Sequence, residues 1–295
     1  MAKRPSHRAD GWRNWIATSG PPNQRNCTKS VPKWEVFSPV RFPCPISNFR
    51  ESCPLNDEVK QILSAAYQSS YRTMRVALLA CETTEDRLAT YAAQMTELDG
   101  TINGFTQITE TKVACAKGCA FCCSLQIDVR AHETLLIARH LQRSWEADKL
   151  ETFTDRLRNQ KPGQPCSLLD WESLCSIYQY RPANCRRYLS VSVEACEELS
   201  RKGETFRELE PAMVSEGGRH AAMGLHNAYL REGYDGFSYD LARSLVEALD
   251  DDSSFDRWEA HEKVFSKAAE SEVPEGFSQA DAIAQLRERL VAEDA

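Results

Sequence analysis

Four cysteines lie within nine residues in the stretch CAKGCAFCC, the part of the sequence best suited to chemistry. They are Cys115, Cys119, Cys122 and Cys123. On a helix, steps of about 100° per residue would put all four on one face. Thiolates held so close repel one another, and a bound cation removes that repulsion. Although free cysteine also packs well in cores, this spacing predicts a metal centre, and Gly118 would let the backbone wrap around it.

A second group of four cysteines lies downstream at intervals of nine, ten and eleven residues. It consists of Cys166, Cys175, Cys185 and Cys196. A metal site that joins the two groups closes a long loop and stabilises a region with few apolar residues. We therefore expect the two groups to converge, with sulfur atoms of the two segments within about 7 Å of each other. Eight cysteines suit either two four-thiolate sites or one site with spare thiols.

Together, the two motifs resemble the YkgJ-type cysteine-cluster family. The motifs are CAKGCAFCC and, after Cys166, the stretch CSIYQYRPANCR that ends at Arg186. The resemblance covers residues 113–196 and implies a zinc- or iron-chelating domain. The metal ligands that it implies are Cys115, Cys119, Cys122, Cys123, Cys166, Cys175 and Cys185. Glu133, on the helix that follows, also fits the family pattern, and Cys196, whose spacing varies in such proteins, completes our predicted metal set.

The identity of the metal depends on how the thiolates are spaced. Thiolates suit both zinc and iron–sulfur clusters, so ligand softness does not separate the two. Structural zinc sites usually pair two short cysteine hooks, and only the first segment is such a hook. Compact cysteine runs completed by a remote cysteine also hold ferredoxin-type clusters. Adjacent Cys122 and Cys123 suit different irons or different sites better than one tetrahedral ion. The pattern favours a [4Fe–4S] cluster, with Zn²⁺ as the alternative.

One pattern inside the first segment raises the question of enzyme chemistry. Cys115-x3-Cys119-x2-Cys122, with Phe121 before the last cysteine, matches the signature of radical S-adenosylmethionine enzymes. The sequence lacks the alternating strands and helices that their barrel requires. Flagellin lysine N-methylases resemble the same cysteine-cluster group, so a methylase remains open by analogy alone. The alternatives are an oxidoreductase or methyltransferase-like enzyme and a non-catalytic, zinc-stabilised interaction module, and no catalytic residue is identified.

Polar residues near the cysteines have both structural and functional interpretations. His132 and His140 would be metal ligands or hydrogen-bond donors to a sulfur, but we favour a solvent-facing or satisfied core histidine for each. Arg181 and Arg186 flank Cys185. They would either offset the negative charge of thiolates or cap a turn.

The remaining histidines and cysteines give weaker signals. The six-residue spacing of His220 and His226 is a poor match to one helical face, so we expect no metal site there. Cys81 is predicted to be a core residue. The arm cysteines are spaced too loosely to assign, namely Cys27, Cys44 and Cys53. The sequence has no glycine-rich phosphate loop, nucleophile elbow or zinc-protease helix.

The elements that must position these residues are predicted to be mostly α-helical. Residues 1–55 are rich in proline with little helical periodicity, which predicts an irregular arm. Residues 56–295 are predicted to form one mostly helical domain, with a cysteine-knotted metal-binding centre at 113–196 followed by C-terminal helices. No apolar run is long enough to cross a membrane.

Local signals predict where several elements begin and end. Thr83 and Asp86 are spaced as a capping box, and Gly100 is predicted to end the helix that they begin. A short strand is expected within residues 106–114, before the first cysteines. Helical patterns continue through residues 253–270.

Net charge and cysteine content limit which cellular compartment and which partners the sequence suggests. Residues 1–50 carry nine Lys and Arg against two carboxylates, a net charge of +7, within a chain whose total is −7. A basic arm can bind nucleic acid, but packing on its own acidic body is the favoured interpretation. No apolar signal segment follows the basic N-terminus. Clustered cysteines in a long chain predict metal or redox work in a reducing, cytoplasmic compartment, with an unknown protein partner or protein substrate.

Overall fold

The computed structural model describes residues 57–202 and 211–292. It is 65% helical, which confirms the mostly α fold, and the described residues contain ten α-helices. Helices α1 to α10 are Asp57–Leu79, Thr84–Ile108, Ala131–Ser144, Ala147–Arg158, Ala183–Arg187, Val193–Lys202, Ala212–Arg231, Leu241–Asp250, Ser253–Glu259 and Gln279–Ala292. The predicted arm, with its cysteines Cys27, Cys44 and Cys53, lies outside the described residues. The division into arm and domain therefore stays a prediction.

Helix α7 lies at the centre of the fold, with α1 and α2 packed against it. The approach of α1 is so close that a Cβ at Gly224 would overlap the carbonyl oxygen of Tyr67. A Cβ at Gly217 would overlap the ring of Phe105 on α2 in the same way. Glycine at these positions therefore sets how near the three helices can lie. We call α1, α2 and α7 the helical frame.

The amphipathic pattern of α1 explains why it forms and which face it buries. Its buried residues recur at helical spacing along one side, and they are Val59, Leu63, Tyr71, Met74 and Leu78. Helix α2 begins at the predicted capping box, in which Thr83 accepts from the Asp86 N–H and Asp86 accepts from the Thr83 N–H. This prediction is confirmed.

Three local predictions are wrong. Gly100 does not end α2, which continues to Ile108, because the buried positions Ile102 and Phe105 extend its apolar face. The strand expected within 106–114 is absent from these described residues, which finish α2 and continue as irregular chain. The helix expected over 253–270 ends at Glu259, and Lys267–Ala269 forms only a 3₁₀ turn.

A short two-stranded sheet places the start of α3 beside the start of α8. Its strands are β1, Asp128–Val129, and β2, Tyr239–Asp240, and they pair antiparallel. The Leu241 N–H also donates to the carbonyl of Ile127 at 2.9 Å. The first residues of α3 are thereby fixed relative to the C-terminal helices. Among the described residues, no helix is long and apolar enough to cross a membrane.

Candidate metal centre

The first cysteines lie on a loop and a 3₁₀ turn instead of on one helix. We call residues 115–123 the first cysteine loop. It turns where the Cys119 N–H donates to the carbonyl of Ala116 at 2.9 Å, and Gly118 has φ of 83°. A 3₁₀ turn then covers Phe121–Ser124. The single-helix geometry is wrong for this segment. Gly118 leaves helical geometry as expected, because a positive φ is a conformation that glycine adopts without steric cost, and the wrapping of the loop around a metal stays a prediction.

The second group of cysteines is brought against the first by a backbone hydrogen bond. We call residues 166–185 the second cysteine loop. The Cys166 N–H donates to the carbonyl of Cys123 at 2.8 Å. An isolated antiparallel bridge between Leu169 and Cys175 closes a turn within the second loop, and Cys185 lies on α5. The two segments therefore meet through their backbones at this point, and the expected distance of about 7 Å between their sulfur atoms stays a prediction.

Cys196 reaches the same region from α6. The Ala114 N–H donates to the carbonyl of Ser190 at 2.8 Å, and the Ser190 N–H donates to Sγ of Cys115 at 3.3 Å. These two bonds hold the start of the first cysteine loop beside the residues that lead into α6. Helix α6 packs on the Phe121–Ser124 turn, and Cys196 on this helix is buried.

Burial and hydrogen bonding set the acidity of the thiols. Burial raises the pKa of Cys115 and of Cys175 to about 11. Hydrogen bonding with the Cys123 thiol lowers the pKa of Cys122 to about 7, and the same contact raises the pKa of Cys123. Cys122 is therefore the easier of this adjacent pair to ionise, and the thiolate is the form that binds metal.

Burial is also the main cause of a raised pKa at three more thiols of the set, which are Cys119, Cys166 and Cys185. Neighbouring thiols add to the effect at Cys119 and Cys185, because a second thiolate nearby would repel the first. A cation bound among these sulfurs would offset both costs. The chemistry of the donor set therefore fits a thiophilic metal.

Glu133 is a buried structural acceptor that joins three parts of the chain. Its side chain is 3% exposed. It accepts from the Tyr91 hydroxyl at 3.0 Å, the Arg130 N–H at 2.8 Å and the Ala183 N–H at 2.8 Å. Ala183 begins α5, the short helix that carries Cys185. Glu133 thus holds that helix against α2 and α3, and three donors occupy this carboxylate, which also fits the family pattern.

The two arginines that flank Cys185 have different roles. Arg186 is 4% exposed, pairs with Asp99 and donates to the backbone carbonyls of Arg181 and Gln179, so it holds the second cysteine loop in shape. Arg181 stacks over the Tyr178 ring, 4.1 Å from its centroid. Its positive charge also helps to lower the pKa of Cys122. Both sequence interpretations therefore hold, charge compensation for Arg181 and local structure for Arg186.

The histidines near the loops are engaged with other side chains. His132 Nε2 lies 3.0 Å from Nδ1 of His226, and the His132 ring stacks on Tyr229. Burial lowers the pKa of His226 to about 4 and that of His132 well below its usual value. His140 stacks on Tyr180 at 4.1 Å between ring centroids. His132 lies in the core, as expected, but its Nδ1 has no hydrogen-bond partner among the described residues, so the prediction of a satisfied histidine is wrong for that nitrogen.

Several residues that shape the site carry no sequence signal. Asp99 and Tyr91 lie on α2, far along the chain from the cysteines, and nothing in their local pattern indicates that they pair with Arg186 and Glu133. The same holds for the contact between His132 and His226. Such pairings follow from how helices pack and are not encoded in spacing.

The cysteine side chains of the described residues do not form a ready metal site. In the ranges 57–202 and 211–292, no three His, Cys, Asp or Glu side chains are placed to hold one metal ion. Metal binding by the predicted set therefore requires the cysteine side chains to turn toward a common centre. The eight cysteines stay a predicted ligand set. Cys81 lies in the core at 8% exposure, as expected.

Comparison with protein families confirms the resemblance. Residues 114–209 match a family model described as "CxxCxxCC: Putative zinc- or iron-chelating domain". The match includes both cysteine loops and Cys196 and leaves α1, α2 and the helices from α7 onward outside it. It supports metal binding through cysteines, by zinc or iron. Neither the curated proteins nor the solved structures contain a match to this chain.

Proposed function

We propose that the protein binds an iron–sulfur cluster of the [4Fe–4S] type through the cysteines between Cys115 and Cys196. The observation that carries the proposal is the hydrogen bond from the Cys166 N–H to the carbonyl of Cys123. It brings two cysteine-rich loops together although they are separated in sequence by α3 and α4. A compact cysteine run completed by remote cysteines is the arrangement used for such clusters.

The choice of cluster over zinc rests on the adjacent thiols. Cys122 and Cys123 follow one another in a 3₁₀ turn, where successive residues are about 120° apart around the axis. Two such thiolates serve different irons or different centres more easily than one tetrahedral ion. The alternative is zinc bound by cysteines alone, and the experiment below distinguishes zinc from an iron–sulfur cluster.

The proposed setting is a reducing compartment, the cytoplasm. All nine cysteines in the described residues are free, including those close together in the two loops. Clustered free thiols in a long chain suit a reduced environment and metal binding more than a disulfide framework. The net charge of −7 argues for a protein partner or protein substrate over nucleic acid.

The test is to purify the full chain without oxygen after expression with ample iron. We expect a coloured protein with iron, acid-labile sulfide and visible charge-transfer absorption. A colourless protein with stoichiometric zinc under the same conditions would replace the cluster with zinc and keep metal binding. A chain free of both metals would reject the proposal.

The role of the centre is proposed to be redox or protein-modification chemistry, and a second measurement tests this. A cluster with an open iron should change its spectrum when S-adenosylmethionine or dioxygen is added. An unchanged spectrum, together with loss of folding when Cys175 or Cys185 is replaced, would identify a structural interaction module. The hydrogen bond from the Ala183 N–H to Glu133 favours the structural module, because it fixes the helix that carries Cys185 to the core.

A further inference from the structure

An exposed tryptophan lies at the tip of a hairpin in the second cysteine loop. We call residues 169–175 the Trp171 hairpin, and its two ends are joined by the antiparallel bridge between Leu169 and Cys175. Trp171 is 90% exposed, more than any other large hydrophobic residue that the structure describes. A single exposed apolar residue needs no explanation by itself. A tryptophan on a fixed turn, however, has the properties of an interface anchor.

The hairpin is ordered before any partner binds. The Asp170 N–H donates to the carbonyl of Leu174 at 2.8 Å, and Oδ1 of Asp170 accepts from the Glu172 and Leu174 N–H groups at 2.9 and 2.8 Å. Two residues beyond the hairpin, Ile177 is buried in the core. The backbone on both sides of Trp171 is therefore fixed, so a contact through its ring loses little conformational entropy.

A groove of about 400 Å³ lies beside this hairpin. Arg156 of α4, Gln160 and Cys166 line it, together with Leu169 and Asp170 of the hairpin itself. Its volume is within the range of about 300–1,000 Å³ that small ligand sites have, so it has room for an indole ring. A buried indole N–H needs an acceptor, and the side-chain oxygens of Asp170 and Gln160 supply one. The hairpin and the groove therefore form one continuous patch with a protruding ring beside a recess.

The charges on the hairpin and around the groove are opposite. Glu172 follows the tryptophan, is exposed and forms no ion pair within the part of the chain that the structure describes. Arg156 in the groove wall is an exposed cation, and Lys161 beside it is another. The Lys161 N–H donates to the side chain of Gln164, which also lines the groove. The patch is therefore complementary to itself in charge as well as in shape.

We propose that a second copy of this chain binds to this patch, with the two Trp171 hairpins facing each other across a two-fold axis and Trp171 of each copy in the groove of the other. A two-fold contact uses the same patch on both copies, so a protruding group and a recess must lie side by side, as they do here. In the same contact, Glu172 of one copy lies opposite Arg156 and Lys161 of the other.

The contact goes beyond the proposed function, because it does not depend on which metal the cysteines bind. One consequence rests on that function. Cys166 lines the groove, so Trp171 of the second copy would cover this side of the metal centre and slow the loss of metal. Each buried tryptophan contributes about 150–250 Å². The interface is therefore small, and the dimer forms reversibly as the concentration rises.

Sedimentation equilibrium of the full chain over a wide range of concentrations tests the contact. We expect a monomer–dimer equilibrium for the wild type, and Trp171→Ala should raise the dimer Kd at least about thirtyfold because it removes the central anchor. Phe277→Ala removes another exposed aromatic side chain and is the control, with no change in Kd. A wild type that stays monomeric throughout, or an unchanged Kd in Trp171→Ala, overturns the proposal.

Glu172→Lys tests the charges across the interface. It would place like charges opposite Arg156 and Lys161 and should raise the Kd by a few fold, because exposed ion pairs are weak. Addition of Lys161→Glu to this variant should restore most of the affinity, since the pair is then re-formed with the charges exchanged. A double variant that associates more weakly than Glu172→Lys alone would contradict this arrangement of the two copies.

A photo-cross-linking amino acid in place of Trp171, p-benzoylphenylalanine, identifies the occupant of the groove directly. In a mixture of isotope-labelled and unlabelled chains, we expect cross-links between copies that end within residues 156–173. Cross-links within one chain to residues 1–56 would make the basic arm the occupant and overturn the proposal. Cross-links between copies at a different surface would overturn it as well.

Metal analysis separates this inference from the proposed function. Trp171→Ala should keep the metal content per chain and release metal to a chelator faster than the wild type, at concentrations where the wild type is dimeric. Equal rates would show that the second copy does not cover Cys166. A monomeric wild type with metal rejects the dimer alone, and a dimeric wild type without metal rejects the proposed function alone.

Discussion

The helical frame and the two cysteine loops are held together by different forces. The frame buries large apolar side chains from three helices, among them Tyr91, Met95 and Tyr229. The first cysteine loop has no buried residue at all, and its contacts are backbone hydrogen bonds and thiols. Apolar burial stabilises the frame, whereas the first cysteine loop lacks that contribution and the second buries only a few residues, among them Leu168 and Ile177. We therefore expect metal binding to stabilise the first cysteine loop in the way that hydrophobic packing stabilises the frame.

Removing the metal should give the largest effect and should separate the two regions. After chelation, we expect amide exchange in the two cysteine loops to rise on the order of a hundredfold, because a ligand present at 100 times its Kd stabilises by about 2.7 kcal/mol. The amides of α1, α2 and α7 should keep their protection. Hydrogen exchange with mass spectrometry of the full chain measures both regions in one experiment. Equal loss of protection in loops and frame would show that the two regions are not independent.

Gly224→Ala should produce the converse effect on the frame. The added Cβ would overlap the Tyr67 carbonyl and force α1 away from α7, so we expect the free energy of unfolding to fall by about 3 kcal/mol. Metal content per folded chain should not change. Urea unfolding and elemental analysis measure the two quantities.

Gly100→Ala is the matched control for that substitution. Gly100 lies on the exposed surface of α2, where an added Cβ would meet no other atom within 4 Å. Alanine there should stabilise the protein by about 0.5–1 kcal/mol, because glycine is unfavourable inside a helix. If both substitutions destabilise equally, the close approach of α1 to α7 is not the cause.

Glu133→Gln tests the connection between the two regions. The amide would bring a donor to a site where three donors already converge, so we expect a loss of about 2 kcal/mol in unfolding free energy. Because α5 carries Cys185, the variant should also release metal to a chelator faster than the wild type. Tyr91→Phe removes only one of the three donors and should cost about 1 kcal/mol. Unchanged metal release in Glu133→Gln would show that Glu133 supports the fold without supporting the metal site.

The buried pair of His226 on α7 and His132 on α3 predicts a pH-dependent effect where the frame meets α3. Burial lowers the pKa of His226 to about 4, while an unfolded histidine titrates near about 6.5. Between about pH 4 and about pH 6.5 the unfolded chain therefore binds more protons than the folded chain. The contribution of neutral His226 to stability is complete above about pH 6.5 and is lost as the pH falls toward 4. His226→Asn should reduce this loss by up to about 1.4 kcal/mol per pH unit. Urea unfolding at several pH values measures the slope, with His220→Asn on the same helix as control.

Much of the frame follows from local sequence. The capping box at Thr83 and Asp86 and the periodicity of α1 depend on residues a few positions apart, so a single sequence contains what is needed to predict them. The prediction that Gly100 ends α2 is wrong because packing far from this residue in sequence outweighs its local preference. Its local preference ends a helix, but the apolar positions Ile102 and Phe105 gain enough from burial to continue it.

The sequence by itself determined that the cysteines lie in two groups and that they belong to a metal-binding pattern, because residue type and spacing carry that chemistry. Only the tertiary structure decided which sulfurs lie near one another. The bonds from Ser190 to Cys115 and from Cys166 to Cys123 join residues far apart in the chain, as does the contact of Glu133 with α5. Such contacts depend on how packed helices present their loops, and no local pattern of residues specifies that arrangement.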